Sequence, residues 1–280
     1  MRTCRCRPRL VVDAYHRHMP VTPPAPGMAD DATLAGSLVR DAGQLAQRMR
    51  TAGVEAHAKT SPSDVVTAAD LAAEELVVGR LRSERPDDGI VGEEGAHREG
   101  TSGRTWVIDP VDGTFNFVQG LDWWCSALAL TDGGALALGA VHHPHDDHTW
   151  VGGRDLPTTR DGVLVPAMVD KSLNECAVAT YLHTTWWGVP EVRQPFTKVA
   201  QVAKVLRMNG SGSMDLAAVV DGRLDLWIHH SVPDWDWMPG SALVEGAGGV
   251  ARQVTVRGYT WSLAGPATAV GEAARALEGS

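Results

Sequence analysis

Cysteine is scarce, with four in 280 residues. That excludes a disulfide-stapled scaffold at this length and fits a reducing compartment, the cytoplasm. Positive charge is also short: Lys+Arg is 25 against Asp+Glu 34, a net of −9. Such a chain lacks the basic stripe of a nucleic-acid binder. If it handles a phosphorylated substrate, metal ions must hold that substrate among the acids. No apolar run is long enough for a membrane span, because the longest, 127–141, is broken by Thr131-Asp132-Gly133-Gly134. Common nucleotide and nucleophile signatures are missing too. There is no Walker A lysine pattern and no Gly-x-Ser-x-Gly elbow. Asn209-Gly210-Ser211-Gly212-Ser213 resembles a dinucleotide fingerprint, but Asp215 stands where its third glycine belongs. No internal repeat is present.

What is there reads as globular, with 44% hydrophobic and 21% charged residues. At roughly 150 residues per domain, the length suits one large domain or two small ones. Residues 1–27 look foreign to the rest, with five arginines, Cys4-Arg5-Cys6 and a proline-rich run at 20–26. They lack a secretory apolar core and read as a start placed before the true Met28 or as a disordered extension. Helical periodicity predicts helices over 30–50, 70–81, 192–205, 213–220 and 236–247. Asp31 or Thr33 is the expected cap of the first, and Gly53 its end. Strands are predicted at 105–108, 125–130, 135–142, 148–152, 174–179 and 224–228, with loops over 59–67 and 155–165. Strands and helices mix without a regular βαβ period, so the fold class is α+β rather than a Rossmann sheet.

The chemistry concentrates in Trp106-Val107-Ile108-Asp109-Pro110-Val111-Asp112-Gly113-Thr114. An apolar strand delivers Asp109 at its end, and a tight turn lets Asp112 face the same point. Gly113 permits close approach to the backbone, and Thr114 at a helix start offers free N–H groups to a phosphate. Carboxylates beside a phosphate repel it unless hard cations intervene, and Mg²⁺ with oxygen ligands is the natural choice. A plain strand and Asp-Gly turn would look similar. Glu93-Glu94 after another apolar strand, Asp70 at a helix start and Asp236 at a later one add acids, although Asp70 and Asp236 also suit simple helix caps.

Taken in order, Asp64-Val65-Val66-Thr67-Ala68-Ala69-Asp70, Gly92-Glu93-Glu94, Asp109-Pro110-Val111-Asp112-Gly113-Thr114, Trp235-Asp236 and Ala247-Gly248-Gly249 resemble the inositol monophosphatase family of Mg²⁺-dependent, lithium-sensitive phosphatases. The resemblance runs from about Met28 to the C-terminus and implies a layered αβαβα sandwich. It implies a single catalytic domain over 28–280, with 28–155 binding metal and phosphate and 156–280 closing the substrate pocket. By the resemblance, Glu93, Asp109 and the carbonyl of Val111 hold one metal, and Asp109, Asp112 and Asp236 a second. Glu93 helps with a weaker third. Asp70 and Thr114 orient and deprotonate the attacking water, and the N–H groups of Gly113 and Thr114 bind phosphate. Lys59 matches a basic residue near the metal loop. Asp112, Gly210, Ser211, His229 and Asp236 lie against the substrate. Two or three Mg²⁺ per site are expected, with Mn²⁺ as a substitute, and a homodimer.

Such an acid cluster cannot stay ionised without cations, and paired metals clamp the attacking and leaving oxygens of an in-line displacement. Direct hydrolysis without a phosphoenzyme follows, since Asp109 and Asp112 stand three apart rather than in an Asp-x-Asp pair. The chain departs from the family around the leaving group. His229 stands where a carboxylate usually lies seven residues before Asp236, and Trp237, Met238 and Pro239 replace small residues. Phe115 and Gly246 also differ from the common pattern. Residues 142–148, His-His-Pro-His-Asp-Asp-His, read as a polar hairpin loop rather than a metal cluster. Trp123-Trp124 and Trp186-Trp187 read as packing or interface residues. The expected activity is hydrolysis of a small polyol or sugar phosphate, inositol monophosphate first. Histidinol phosphate, fructose 1,6-bisphosphate and 3′-phosphoadenosine nucleotides are alternatives, and a non-catalytic binding protein on the same fold is the rival from another class.

Overall fold

The computed structural model describes residues 27–53, 56–61 and 64–279, with side chains described outside 56–61 and 64–66. The reading of the N-terminal tail falls almost wholly outside the described residues, as does the side chain of Lys59. In chain order the elements are α1 (Met28–Ala52), β1 (Ala56–Ser61), β2 (Asp64–Thr67), α2 (Ala68–Glu84), β3 (Gly89–Gly92), β4 (His97–Arg98), β5 (Arg104–Asp112) and α3 (Thr114–Gln119). Then follow β6 (Cys125–Asp132), β7 (Ala135–His143), β8 (His148–Gly153), β9 (Leu156–Arg160), β10 (Val163–Leu164), β11 (Ala177–Thr180), α4 (Pro190–Val202) and β12 (Val205–Arg207). The chain ends with α5 (Gly212–Val220), β13 (Leu226–His230), α6 (Asp234–Gly246), β14 (Val250–Val256), β15 (Tyr259–Gly265) and α7 (Ala267–Glu278).

Two sheets organise these elements, besides the β1–β2 hairpin: an eight-stranded one ordered β10-β9-β8-β7-β6-β5-β3-β4 and a five-stranded one ordered β12-β11-β13-β15-β14. The layers follow from period-two alternation along the strands. On β5 and β6, Trp106, Ile108, Leu128 and Leu130 pack with Leu34, Leu38, Ala73 and Val77 of α1 and α2. Cys125 and Ala127, of opposite parity, pack with Met214, Leu243 and Val244 of α5 and α6. On β13, Trp227 joins that same central layer, while Leu226 and Ile228 face Phe196 of α4 and Ala273 and Leu277 of α7. The order is helices, sheet, helices, sheet, helices: the layered α+β sandwich expected.

Several local readings are corrected. Residues 59–67 are not a loop, because β1 and β2 pair antiparallel. Residues 155–165 are not a loop either, since β9 and β10 extend the large sheet beyond β8. Helix α1 starts earlier than predicted, its N-cap being Gly27 with no side-chain cap. Asp31, the expected cap, is buried instead and bonds Arg85 and Arg104, while Thr33 bonds back to the Ala29 carbonyl. Asp236 is no cap, because α6 begins two residues before it and is capped at Pro233. Pro239 consequently sits beyond the first turn, inside the helix. Trp124 is core, and Trp186 packs edge-on against His230 and Tyr259, whereas Trp187 is partly exposed.

Candidate active site

The central motif lies on β5, parallel to β3 and antiparallel to β6. In a regular strand, residues three apart point to opposite faces. Here Asp109 pairs with Ala127 and Asp112 with Cys125, so three steps on β5 oppose two on β6. This bulge turns both carboxylates to the same side, the face carrying α6. The Ser126 hydroxyl donates to the Pro110 carbonyl at 2.5 Å and pins it. Asp236, in the first turn of α6, completes the group: one oxygen each from Asp109, Asp112 and Asp236 lie within 4.8 Å of one another.

The electrostatics of this trio are unfavourable as they stand. Asp109 is 1% exposed, and no hydrogen bond reaches either carboxylate oxygen. Burial, then the charges of Glu93, Asp112 and Asp236, push its carboxyl well above the usual range. Burial also raises Asp112, opposed by the N–H groups of Ser213 at 2.5 Å and Gly212 at 3.2 Å, which open α5. A buried carboxylate without a donor is costly. Convergent hard oxygens suit a divalent cation of the magnesium type, so the residues fit the metal that the resemblance implies.

Glu93 follows β3, its N–H bonded to the Ile108 carbonyl at 3.1 Å. The turn after it is set by Glu74 of α2, whose carboxylate accepts from the N–H groups of Glu94 and Ala96 at 2.9 Å each. Gly92 is required here: a Cβ at this position would lie 2.2 Å from Glu74 Oε2. Across the cleft, Thr67 caps α2 with Asp70 as its reciprocal partner. Asp70 Oδ1 lies 3.2 Å from Thr114 Oγ1, which is also 3.0 Å from the Val111 carbonyl. Burial raises Asp70 to about 6 against the bonds from Thr67. Asp70 is thus a cap residue whose other oxygen reaches Thr114. Gly113, at φ 94°, caps α3 in the left-handed region. A Cβ there would press on Ser211 and on the carbonyls of Trp123 and Gly210 at 3.1–3.2 Å.

A cleft of about 400 Å³ opens over these groups. Glu93, Asp112, Gly113, Thr114, Gly210, Ser211, His229 and Asp236 line it, as the sequence predicted, together with Phe115, Tyr181, Met208 and Trp227. Ser211 also caps α5, accepting from Met214 N–H at 3.4 Å. The His229 ring stacks on Trp227, 5.9 Å between centroids, and on Tyr181 at 6.1 Å. His229 Nδ1 lies 2.7 Å from the His230 carbonyl, which can only accept, so Nδ1 carries the proton and Nε2 the lone pair. Burial holds this imidazole down at about 4, hence neutral.

Sequence reasoning missed three residues. Glu74 is one, although it lies four residues after Asp70 and so on the same helix face. Asn116 is another, its amide donating to the carbonyls of Trp123 and Asn209 at 2.7 Å each and tying α3 to the Gly210 loop. The third is Asp215, which lines the cleft, accepts from Asn209 Nδ2 at 2.7 Å and Trp123 Nε1 at 3.0 Å, and is raised by burial to about 7. In the sequence Asp215 looked only like a spoiled glycine position.

Fold and site together define a metal-dependent phosphoric monoester hydrolase built on a layered α+β sandwich. The chain belongs to the inositol monophosphatase family, whose model matches residues 29–278. It is 31% identical over 192 residues to a fructose-1,6-bisphosphatase/inositol-1-monophosphatase of Thermotoga maritima, covering 69% of this chain and 72% of the relative. It is 31% identical over 225 residues to a histidinol-phosphatase of Mycobacterium tuberculosis, covering 79% and 86%. Among solved structures, a Thermotoga maritima IMPase superposes with a TM-score of 0.77 at 26% identity, covering 89% of this chain and 97% of that one. Members of the family act on small phosphorylated substrates. Among the described residues no helix is long and apolar enough to cross a membrane.

Proposed function

We propose that the protein is a Mg²⁺-dependent phosphomonoesterase of a small polyol or sugar phosphate, with inositol monophosphate as the first candidate. The observation that carries this reading is the aspartate trio, Asp109 and Asp112 buried and Asp236 half-buried, with Asp109 lacking any donor. Glu93, Asp109 and the Val111 carbonyl would hold one cation, and Asp109, Asp112 and Asp236 another, with Glu93 contributing to a third. Bound cations supply charge neutralisation and Lewis acidity at the attacking and leaving oxygens. The chain's own groups do the rest. Gly113 and Thr114 present N–H groups to the phosphate at the start of α3. Thr114 Oγ1 orients the attacking water and passes its proton toward Asp70, 3.2 Å away.

Elsewhere in the lining, neutral His229 offers Nε2 as an acceptor for a leaving-group hydroxyl. Gly210 and Ser211 lie against Gly113, beside the proposed phosphate position. Outside the proposed metal set, Asp215 is the one carboxylate of the described lining, and Trp123 Nε1 and Asn209 Nδ2 both donate to its Oδ1. A homodimer in the cytoplasm, two or three Mg²⁺ per site with Mn²⁺ able to substitute, inhibition by Li⁺, and one catalytic domain over 28–280 complete the reading.

The test is phosphate release from inositol, histidinol, fructose 1,6-bis- and nucleotide 3′-phosphates with Mg²⁺, with EDTA and with Li⁺. Mg²⁺-dependent release suppressed by Li⁺, with inositol monophosphate ranking first, is the expected result. A different ranking reassigns the leaving group. Demonstrable Mg²⁺ binding without release from any substrate overturns the enzymatic reading.

A further inference from the structure

The turn joining β7 to β8 has no part in the site above, and it gathers His143, His145 and Asp146 with Asp122 from the loop after α3. His143 is 3% exposed and is the last residue of β7. Its Nε2 lies 2.7 Å from the Asp122 carbonyl. A carbonyl only accepts, so Nε2 bears the proton. In the neutral ring the Nδ1 lone pair then points into a buried position with no hydrogen bond. Asp146 Oδ2 faces it at 3.2 Å. Two electron pairs at that distance repel unless a proton or a cation lies between them. An imidazole that donates one N–H to a carbonyl while its other nitrogen stays open is the arrangement of metal-bound histidines.

Further donors surround this nitrogen. His145 Nε2 lies 3.9 Å from Asp146 Oδ1, and His145 Nδ1 lies 3.5 Å from Asp122 Oδ1. A tetrahedral zinc with bonds of about 2.0–2.1 Å spaces its ligand atoms roughly 3.4 Å apart. The two imidazole centroids are 6.0 Å apart, against about 5 Å for two histidines on one such ion. Among the described residues only the aspartate trio already has every ligand atom within 4.8 Å. Closing the turn needs a rotation of His145, which is free to make one because its side chain is 54% exposed. Asp122 is the weakest member, since Arg50 Nη1 already lies 3.8 Å from it.

We propose that this turn is a second metal site, distinct from the acidic cleft, in which His143 Nδ1, His145 and Asp146, with Asp122 closing the set, hold a borderline divalent cation of the zinc class. Two imidazoles with carboxylates select such an ion over Mg²⁺, which the all-oxygen cleft suits. The pattern His143-Pro144-His145-Asp146 looks unpromising in sequence because proline breaks helical spacing. The hairpin replaces that spacing with a buried residue at a strand end and an exposed residue in the turn. The loop so fastened is the one whose Trp123 donates to Asp215 and whose carbonyl receives Asn116.

The test is equilibrium dialysis of the full chain against zinc sulfate, comparing wild type with His145→Ala and Asp146→Asn. Both changes lie at exposed positions, and the acidic cleft is disabled in parallel by Asp109→Asn. The N-terminal Cys4, Cys6, His16 and His18 are the same in every variant, so the comparison is internal. Wild type and Asp109→Asn should each hold one more zinc than their His145→Ala counterparts, with affinity lost at least about tenfold in the turn variants. Cobalt in place of zinc should give the absorption of a nitrogen-ligated tetrahedral ion. Equal zinc stoichiometry and affinity in wild type and both turn variants overturns the proposal. So does a wild-type His143 that remains doubly protonated in excess zinc, the proton alone bridging to Asp146.

Discussion

The two sheets both furnish residues to the lining of one cleft, and they hold them by opposite physics. The eight-stranded sheet supplies Glu93, Asp109 and Asp112, a set of like charges brought together by a bulge and a turn. The five-stranded sheet supplies His229, held by stacking on Trp227 and by a bond to its own neighbour's carbonyl. The first arrangement is costly until a cation enters. The second is satisfied without a ligand. The departure from the family pattern at His229 thus falls on a side chain that is held without a cation.

The strongest way to break the comparison is Asp109→Asn. Turnover should fall at least about 100-fold, because a ligand shared by two proposed metals is lost. The metal-free variant should melt above the metal-free wild type, since a buried like-charge conflict is removed; phosphate release and calorimetry check the two halves. Thr114→Ala should lower kcat by about 100-fold with metal affinity nearly intact, as seen by single-turnover kinetics and Mg²⁺ titration. On the five-stranded sheet, His229→Ala should cost about tenfold in KM or less, the worth of one neutral hydrogen bond. His229→Glu should change the substrate ranking rather than abolish turnover.

The smallest effect is a pH dependence in which buried carboxylates and buried imidazoles act with opposite sign. Asp70 at about 6 and Asp215 at about 7 have raised folded values. Their contribution is full below the unfolded carboxylate value of 3.8 and is lost as pH rises through 6 to 7. His142, His229 and His230, each lowered to about 4 by burial, act oppositely: their contribution is full above the unfolded value of 6.5 and is lost as pH falls toward 4. Above about 6.5 only the carboxylates act, so the metal-free melting temperature should drop as pH rises toward about 8. Asp215→Asn should shrink that drop, whereas Mg²⁺ should leave most of it, because burial raises Asp70 and Asp215 and neither belongs to the proposed metal set.

Much of this was legible. The strand over 105–108 and the acids after it, the helix over 70–81 and the hairpin of β6 and β7 all announce themselves by period and by turn residues. The misreadings share a cause. Leu156-Pro157-Thr158-Thr159-Arg160 is polar and contains proline, yet becomes β9 because β8 presents an open edge to it. Asp31 looks like a cap, but Arg85 and Arg104 arrive from distant segments to pair with it. Asn116 and Asp215 sit in ordinary helical contexts, and only their partners across the cleft make them part of the site.

The sequence by itself determined the chemistry available: which acids follow which strands, the glycine that lets α3 begin at Thr114, the shortage of positive charge, and the histidine in place of a carboxylate at 229. These are local facts, set by residue type and short spacing. The tertiary structure alone decided that Asp109, Asp112 and Asp236 meet, that Asp109 receives no donor, that His229 is neutral with its lone pair on Nε2, and that His143 faces Asp146. The aspartate trio depends on partners from far along the chain, while the His229 tautomer and the His143–Asp146 pair depend on burial and on how the local backbone is turned. Both desolvation and facing lone pairs are properties of the packed interior, which no spacing along the chain encodes.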